Sequence, residues 1–302
     1  MNCSGSPPIH GADLGWAFGC SRRGASHLRG GKPCQDAYAL WSGTFLSAPQ
    51  LIAAVADGHG DRQHDLSEIG ASLATQVAVQ ELLSPLPKDA LFESDHALEE
   101  EFARTFPERV TESWLVRVQE DAKSRLGESY TAVDPEATIR RYGTTLLVTR
   151  VSPRWIMLAQ IGDGDILFLS LDDRIVYPLE TENALVGLST YSLASRNAIS
   201  LWKTAVLPRE GGLLLLATDG LSDSFGGSDH PEFQRFVRSL RQRIGEYGIG
   251  KVAHSLPTWL SQYSDQGSGD DVTLVLMDIM PEEGGNNQTV EDTDGTPNRS
   301  EN

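Results

Sequence analysis

"LIAAVADGHGD", residues 51–61, joins a candidate core strand to a cluster of acid, imidazole and glycine. Leu51-Ile52-Ala53-Ala54-Val55 is an apolar run of strand length and reads as a strand buried in a core. Asp57 stands where that strand leaves the core. Gly58 and Gly60 allow a sharp turn and a close approach of backbone to a ligand. One turn with solvated carboxylates would show the same pattern, so the rest of the chain has to decide.

Working outward, strand and helix signals alternate. "LGWAFGC" (14–20) and "DAYALWSGTFL" (36–46) read as strands before the opening motif. After it, Leu66, Ile69, Leu73 and Val77 recur at helical spacing. A second helical stretch is expected over His96–Leu126, interrupted near Pro107. "GTTLLVTRV" (143–151), "WIMLAQIG" (155–162) and "DILFLSL" (165–171) are further strands, and "GDGD" (162–165) between the last two reads as a hairpin turn. "GGLLLLATDG" (211–220) and "DDVTLVLMDI" (270–279) are strands on either side of two helical segments, 231–248 and 251–264. Strands in succession with helix pairs inserted predict antiparallel sheets flanked by helices, and a parallel dinucleotide-binding sheet fits less well. Neither GxGxxG nor GxxxxGK[ST] is present.

The 302 residues carry a formal charge of −17, from 42 acidic and 25 basic residues. That balance argues against binding nucleic acid or an anionic membrane, which needs basic surface. Cys3, Cys20 and Cys34 lack paired spacing and are expected to be reduced thiols of a soluble, cytoplasmic protein. No CxxC or HExxH suggests zinc, and no apolar run reaches membrane-spanning length. The Pro/Gly/Ser-rich residues 1–12 read as a loose arm, 13–280 as the folded domain and 281–302 as a disordered acidic tail.

The acids fall at strand ends. Asp57 follows "LIAAVA", Asp163 follows "WIMLAQIG", Asp219 follows "LLLLAT", and Asp270 precedes "VTLVLMDI". Carboxylates gathered at one sheet edge repel one another unless cations lie between them. Oxygen-only ligands suit Mg²⁺ or Mn²⁺. Two such ions about 3.5–4 Å apart can acidify a water and clamp an in-line phosphoryl displacement. From spacing alone, independent loop aspartates remain an equal alternative.

Six blocks occur in one order: "CQDAY" (34–38), "ADGHG" (56–60), "YGTTLL" (142–147), "IGDGD" (161–165), "LLLATDGLSD" (214–223) and "GDDVTLVL" (269–276). Together they resemble the metal-dependent serine/threonine protein phosphatases of type 2C, the PPM family, and in particular a bacterial branch with "PCQDA" in its first motif. The resemblance spans roughly residues 13–280. It implies an α+β fold: a four-layer α-β-β-α sandwich of two antiparallel sheets flanked by helix pairs, with metals at one end. By position, Asp57 would bridge two Mg²⁺ or Mn²⁺ ions and the Gly58 carbonyl would bind one of them. Asp219 and Asp270 would complete one shell, and Asp36 would act near the second ion. Asp163 matches the aspartate that helps hold a third, weaker ion in some members. His59 matches the proposed general acid, a task suited to imidazole. The implied reaction is attack of metal-activated water on a phosphoprotein, without a phosphoenzyme. Neither a CxxxxxR loop nor DxDx[TV] is present, and Leu167 breaks an EF-hand reading of "DGD".

Two departures stand out. Gln35 replaces a common glutamate, and no arginine follows the first strand at the expected place, where His27 stands nearest as a ligand for substrate phosphate. Arg29 and Lys32 lie in a Gly-rich insertion beside it. Asp61 and Asp165 are expected to be solvated, Asp223 and Asp271 to be local turn or strand-edge acids, and 177–207 to form a variable flap. A silent PPM-fold binding module and a phosphatase of small phosphate esters are the competing readings.

Overall fold

The computed structural model describes residues 5–85, 95–179 and 191–282. Its strands in chain order are β1 (Ile9–His10), β2 (Gly15–Arg22), β3 (Ala37–Phe45), β4 (Ala48–Ala56), β5 (Leu146–Val151) and β6 (Trp155–Ile161). They continue with β7 (Asp165–Ser170), β8 (Ile175–Val176), β9 (Lys203–Pro208), β10 (Gly212–Ala217) and β11 (Val272–Ile279). The helices are α1 (Ala25–Gly30), α2 (Ser67–Leu82), α3 (Asp95–Leu126), α4 (Pro135–Arg140), α5 (Asp219–Asp223), α6 (Pro231–Tyr247) and α7 (Ile249–Gln266). Two antiparallel sheets result, ordered β1-β2-β11-β10-β7-β8 and β3-β4-β5-β6-β9.

β4 explains the layering. Successive side chains of a strand point to opposite faces. Leu51, Ala53 and Val55 enter the core between the sheets, beside Leu147, Leu214 and Val275. Ile52, Ala54 and Ala56 face the other way, into a core shared with α2 and α3, where Ala74, Phe102, Phe106 and Trp114 are buried. A strand covered on both faces has no polar side, hence the unbroken apolar run. β10 repeats the logic: Leu214 and Leu216 pack between the sheets, and Leu213 and Leu215 pack under α6 and α7 with Phe233, Leu240 and Leu256. The architecture is therefore the four-layer α-β-β-α sandwich.

Pairing registers bring one end of every long strand together. Ala37 pairs with Ala56 and Val55 with Leu147 in one sheet. In the other, Ala217 pairs with both Asp165 and Leu274, and Val272 with Arg22. The motifs read from the sequence extend from this shared end.

Several expectations are corrected. "GDGD" is not a hairpin, because β6 and β7 belong to different sheets; it is an arch between layers, turning at Gly162 with φ +103°. α3 runs uninterrupted through Pro107. Burial of Phe102, Phe106, Val110 and Trp114 on one face outweighs the single backbone bond that proline removes. The insertion at 24–32 forms α1. Residues 5–12 are not loose: β1 pairs with β2, and Ser6 N–H donates to the Gly19 carbonyl at 2.9 Å. The acidic tail beyond 282 and the flap segment 180–190 lie outside the described residues. No described helix is long and apolar enough to cross a membrane.

α2 approaches the turn that leads into β5 closely at Gly70, where a Cβ would stand 1.9 Å from the Tyr142 carbonyl oxygen. Gly70→Ala should therefore cost about 3 kcal/mol, the upper range for overpacking. A urea titration reads it, and a midpoint equal to that of the unchanged protein contradicts this account of the helix–sheet approach.

Candidate active site

Asp57 leaves β4 with its backbone pinned from β5. The Thr145 N–H and the Thr144 hydroxyl both donate to the Asp57 carbonyl at 2.8 Å, and Asp57 N–H donates to Thr145 Oγ1 at 3.0 Å. The "GTT" of 143–145 is thus a clamp on the aspartate, a role beyond packing. At the next residue, a Cβ on Gly58 would meet the Gln35 and Ser67 carbonyl oxygens at 2.6 and 2.8 Å. Only glycine fits that turn.

Asp219 opens α5 at the end of β10, and its carboxyl lies within hydrogen-bonding reach of that of Asp57. Burial, then the charges of Asp36 and Asp219, push the Asp57 carboxyl well above its ordinary range. Burial, then Asp163, raises Asp219 to about 6. Asp36, buried before β3, accepts from the Thr218 hydroxyl at 2.9 Å through Oδ2. Its Oδ1 is buried without a hydrogen-bond partner, and burial together with Asp271 drives this carboxyl strongly upward. Asp270 stands at the mouth with its side chain 58% exposed, its charge felt by Asp36, Asp57 and Asp219.

Strand ends of both sheets therefore bring Asp36, Asp57, Asp219 and Asp270 together. Asp163, exposed on the arch, faces Asp219, Asp223 and His59 and forms the outer edge. The donors are all oxygen, mutually repelling, with one buried oxygen unsatisfied; such a set fits Mg²⁺ or Mn²⁺. Among the described residues, no three acid, His or Cys side chains already surround one point. Asp57 and Asp219 face each other within this set, where a cation would offset their repulsion.

His59 follows the turn. Its N–H donates to the Gly143 carbonyl at 3.1 Å, and its carbonyl accepts from Gln35 Nε2 at 3.0 Å. The ring meets His64 edge-on at 4.9 Å, and His64 Nδ1 lies 3.0 Å from Asp61. Burial, then His64, lowers the His59 pKa to about 4. Gln35, with its amide nitrogen also bonded to Ser67 Oγ, acts as a brace for this loop. Lys32 Nζ reaches the Gly60 carbonyl at 2.7 Å. A cleft of about 1040 Å³ opens beside His59.

His27 lies on α1, buried between acids. Its Nδ1 is 3.0 Å from Asp271 and its Nε2 3.6 Å from Asp270. The Nδ1 approach is too oblique for a directed hydrogen bond, so charge attraction is what the contact offers. Asp271 raises the His27 pKa. Asp271 itself is 3% exposed and accepts from the Gly24 and Gln35 N–H groups at 2.6 Å each. It is a buried tie between the loops around α1 and the start of β11, not a strand-edge acid. Asp165 is likewise buried, at 8%, against the expectation of a solvated residue; Asp61 is exposed. Asp223 faces the same space as Asp219. Its spacing of four residues from Asp219, on a helix that starts there, was a readable sign of a shared face.

Residues 23–261 match the sequence profile of the family Protein phosphatase 2C. No curated protein matches the chain significantly in sequence. Solved structures of similar fold include a bacterial serine phosphatase, 13% identical with a TM-score of 0.56 over 89% of this chain and 98% of its own. The serine/threonine phosphatase Stp1 from Staphylococcus aureus is 14% identical, with a TM-score of 0.55 over 92% and 97%. The catalytic domain of the serine/threonine protein phosphatase PstP, in complex with two manganese ions, is 18% identical, with a TM-score of 0.50 over 87% and 97%. At these identities the likeness concerns the fold.

Asp271→Ala would orphan two buried N–H groups. It should cost about 2–4 kcal/mol, whereas Asp61→Ala at an exposed position should cost under about 0.5 kcal/mol. Equal urea midpoints for the two variants would rule out the tie.

Proposed function

The chain belongs to the protein phosphatase 2C family and is thereby a metal-dependent serine/threonine protein phosphatase; we propose that its ions are held by Asp36, Asp57, the Gly58 carbonyl, Asp219 and Asp270. The observation that carries this assignment is the approach of carboxyls from both sheets, Asp36 among them with one buried oxygen lacking a hydrogen-bond partner. Asp163, with Asp219 and Asp223 beside it, is the proposed place of a third, weaker ion. The Mn²⁺-bound PstP structure shares the fold and supports the choice of metal. The proposed catalytic domain is 13–280, and the family match falls inside it. The compartment we propose is the cytoplasm; Cys20 and Cys34 are not joined in a disulfide.

When bound, the ions supply a water acidic enough to attack phosphorus and positive charge to offset the phosphoryl oxygens. The chain supplies the rest. Thr144 and Thr145 pin the Asp57 backbone and so fix where its carboxyl leaves the sheet. His59, braced by Gln35 through its carbonyl and packed on His64, stands at the cleft to protonate the departing serine or threonine oxygen. An incoming phosphate dianion raises the pKa of that ring by its own charge. His27 is engaged with Asp270 and Asp271 and steadies Asp270 rather than gripping phosphate. Lys32, at the Gly60 carbonyl, brings a positive charge to the same rim.

Hydrolysis of a phosphothreonine peptide with Mn²⁺ should fall about a hundredfold or more in Asp57→Asn and in Asp219→Asn. Turnover equal to that of the unchanged protein in either variant removes that residue from the site. Mn²⁺ at a hundred times its Kd should add about 2.7 kcal/mol of stability, visible as a raised Tm. A Tm indifferent to millimolar Mn²⁺ counts against the metal assignment, and Mn²⁺ binding without turnover points to a silent binding module.

A further inference from the structure

The cleft beside His59 has a floor and a rim of different chemistry. Leu115 of α3, Ile139 of α4, Leu193 and Ala194 give it apolar surface, and it measures about 1040 Å³. That is at the upper end of small-ligand pockets and exceeds what one phosphate ester fills. A second hollow of about 360 Å³, lined by Arg62, Gln63, Asp65 and Arg141, shares Arg140 with it. The two hollows adjoin at Arg140, and the larger one reaches the candidate general acid; together they are called the groove.

The charges along this groove are unusual for so acidic a chain. Glu136 is taken up by Arg196, Asp65 by Arg141, and Asp61 lies against His64. Arg140 reaches only the Gln63 amide oxygen, at 3.4 Å. Among the described residues neither Arg62 nor Arg140 pairs with a carboxylate, and both are exposed. Two uncompensated guanidinium groups thus flank the path from His59 in a protein of net charge −17. Their planar forks suit carboxylates.

Resting on the phosphatase reading, we infer that the groove takes an extended phosphopeptide with acidic residues next to the phosphorylated position, read by Arg62 and Arg140, and an apolar side chain set on the Leu115–Ile139–Leu193 floor. The groove selects the substrate; Arg62 and Arg140 take no part in bond breaking. Exposed ion pairs are individually weak, so the preference is modest and falls as salt rises.

The test uses the full chain with Mn²⁺ and three substrates: p-nitrophenyl phosphate and two phosphothreonine peptides that differ only in flanking Asp or flanking Lys. The unchanged protein should favour the Asp peptide by about fivefold in kcat/KM, the product of two exposed pairs. R62E/R140E should reverse that order and leave p-nitrophenyl phosphate turnover as it was. Equal rates on the two peptides with the unchanged protein overturn the inference without reference to any variant. So does a variant that keeps the original order. Failure of the unchanged protein to hydrolyse all three substrates sinks the phosphatase reading itself, and this one with it.

Discussion

Carboxyl groups repel one another most where water is scarce, and this chain buries Asp36 and half-buries Asp57 and Asp219 at one end of a sandwich. Other features at that end answer to the repulsion. The carboxyls of Asp57 and Asp219 both have their pKa raised, and Asp36 is held by the hydroxyl of Thr218. Threonines 144 and 145 fix the Asp57 backbone so that its side chain cannot withdraw. Such an arrangement is costly for a protein alone and reasonable for one that accepts cations. The four-layer core supplies the stability that holds the acids in place.

A second electrostatic device works in the opposite sense. Asp271 is buried yet well compensated: two backbone N–H groups donate to it and the imidazole of His27 lies 3.0 Å away. One satisfied acid thus anchors the loops on which unsatisfied acids are displayed. The N–H of Gln35 is one of those donors, and its side chain braces the His59 carbonyl. Changes at this anchor are therefore felt at the imidazole through one residue.

The layers and the acid-bearing strand ends were legible because local pattern and tertiary environment agree there. "LIAAVA" is apolar throughout since β4 is covered on both faces, and the polarity changes at Asp57 where the cover stops. The six ordered blocks pointed to the family for the same reason. What stayed hidden depends on partners distant in sequence. Nothing local in "GDGD" tells an arch between sheets from a hairpin within one. Pro107 signals a break that side-chain burial overrides. Asp271 looks like any acid at a strand start until Gly24 and Gln35, some 240 residues earlier, are brought to it.

The alanines of β4 have a consequence for chemistry. Ala53 lies between the sheets while Ala54 and Ala56 lie under the helices, so small side chains set how closely the layers stack. Asp57 is attached to one sheet and Asp219 to the other. The thickness of the inner core is thus a gauge for the bite between them. A methyl group added far from any acid would press the layers apart, and with them the two backbone points from which these acids extend. In this fold, core packing also spaces the acids at its end.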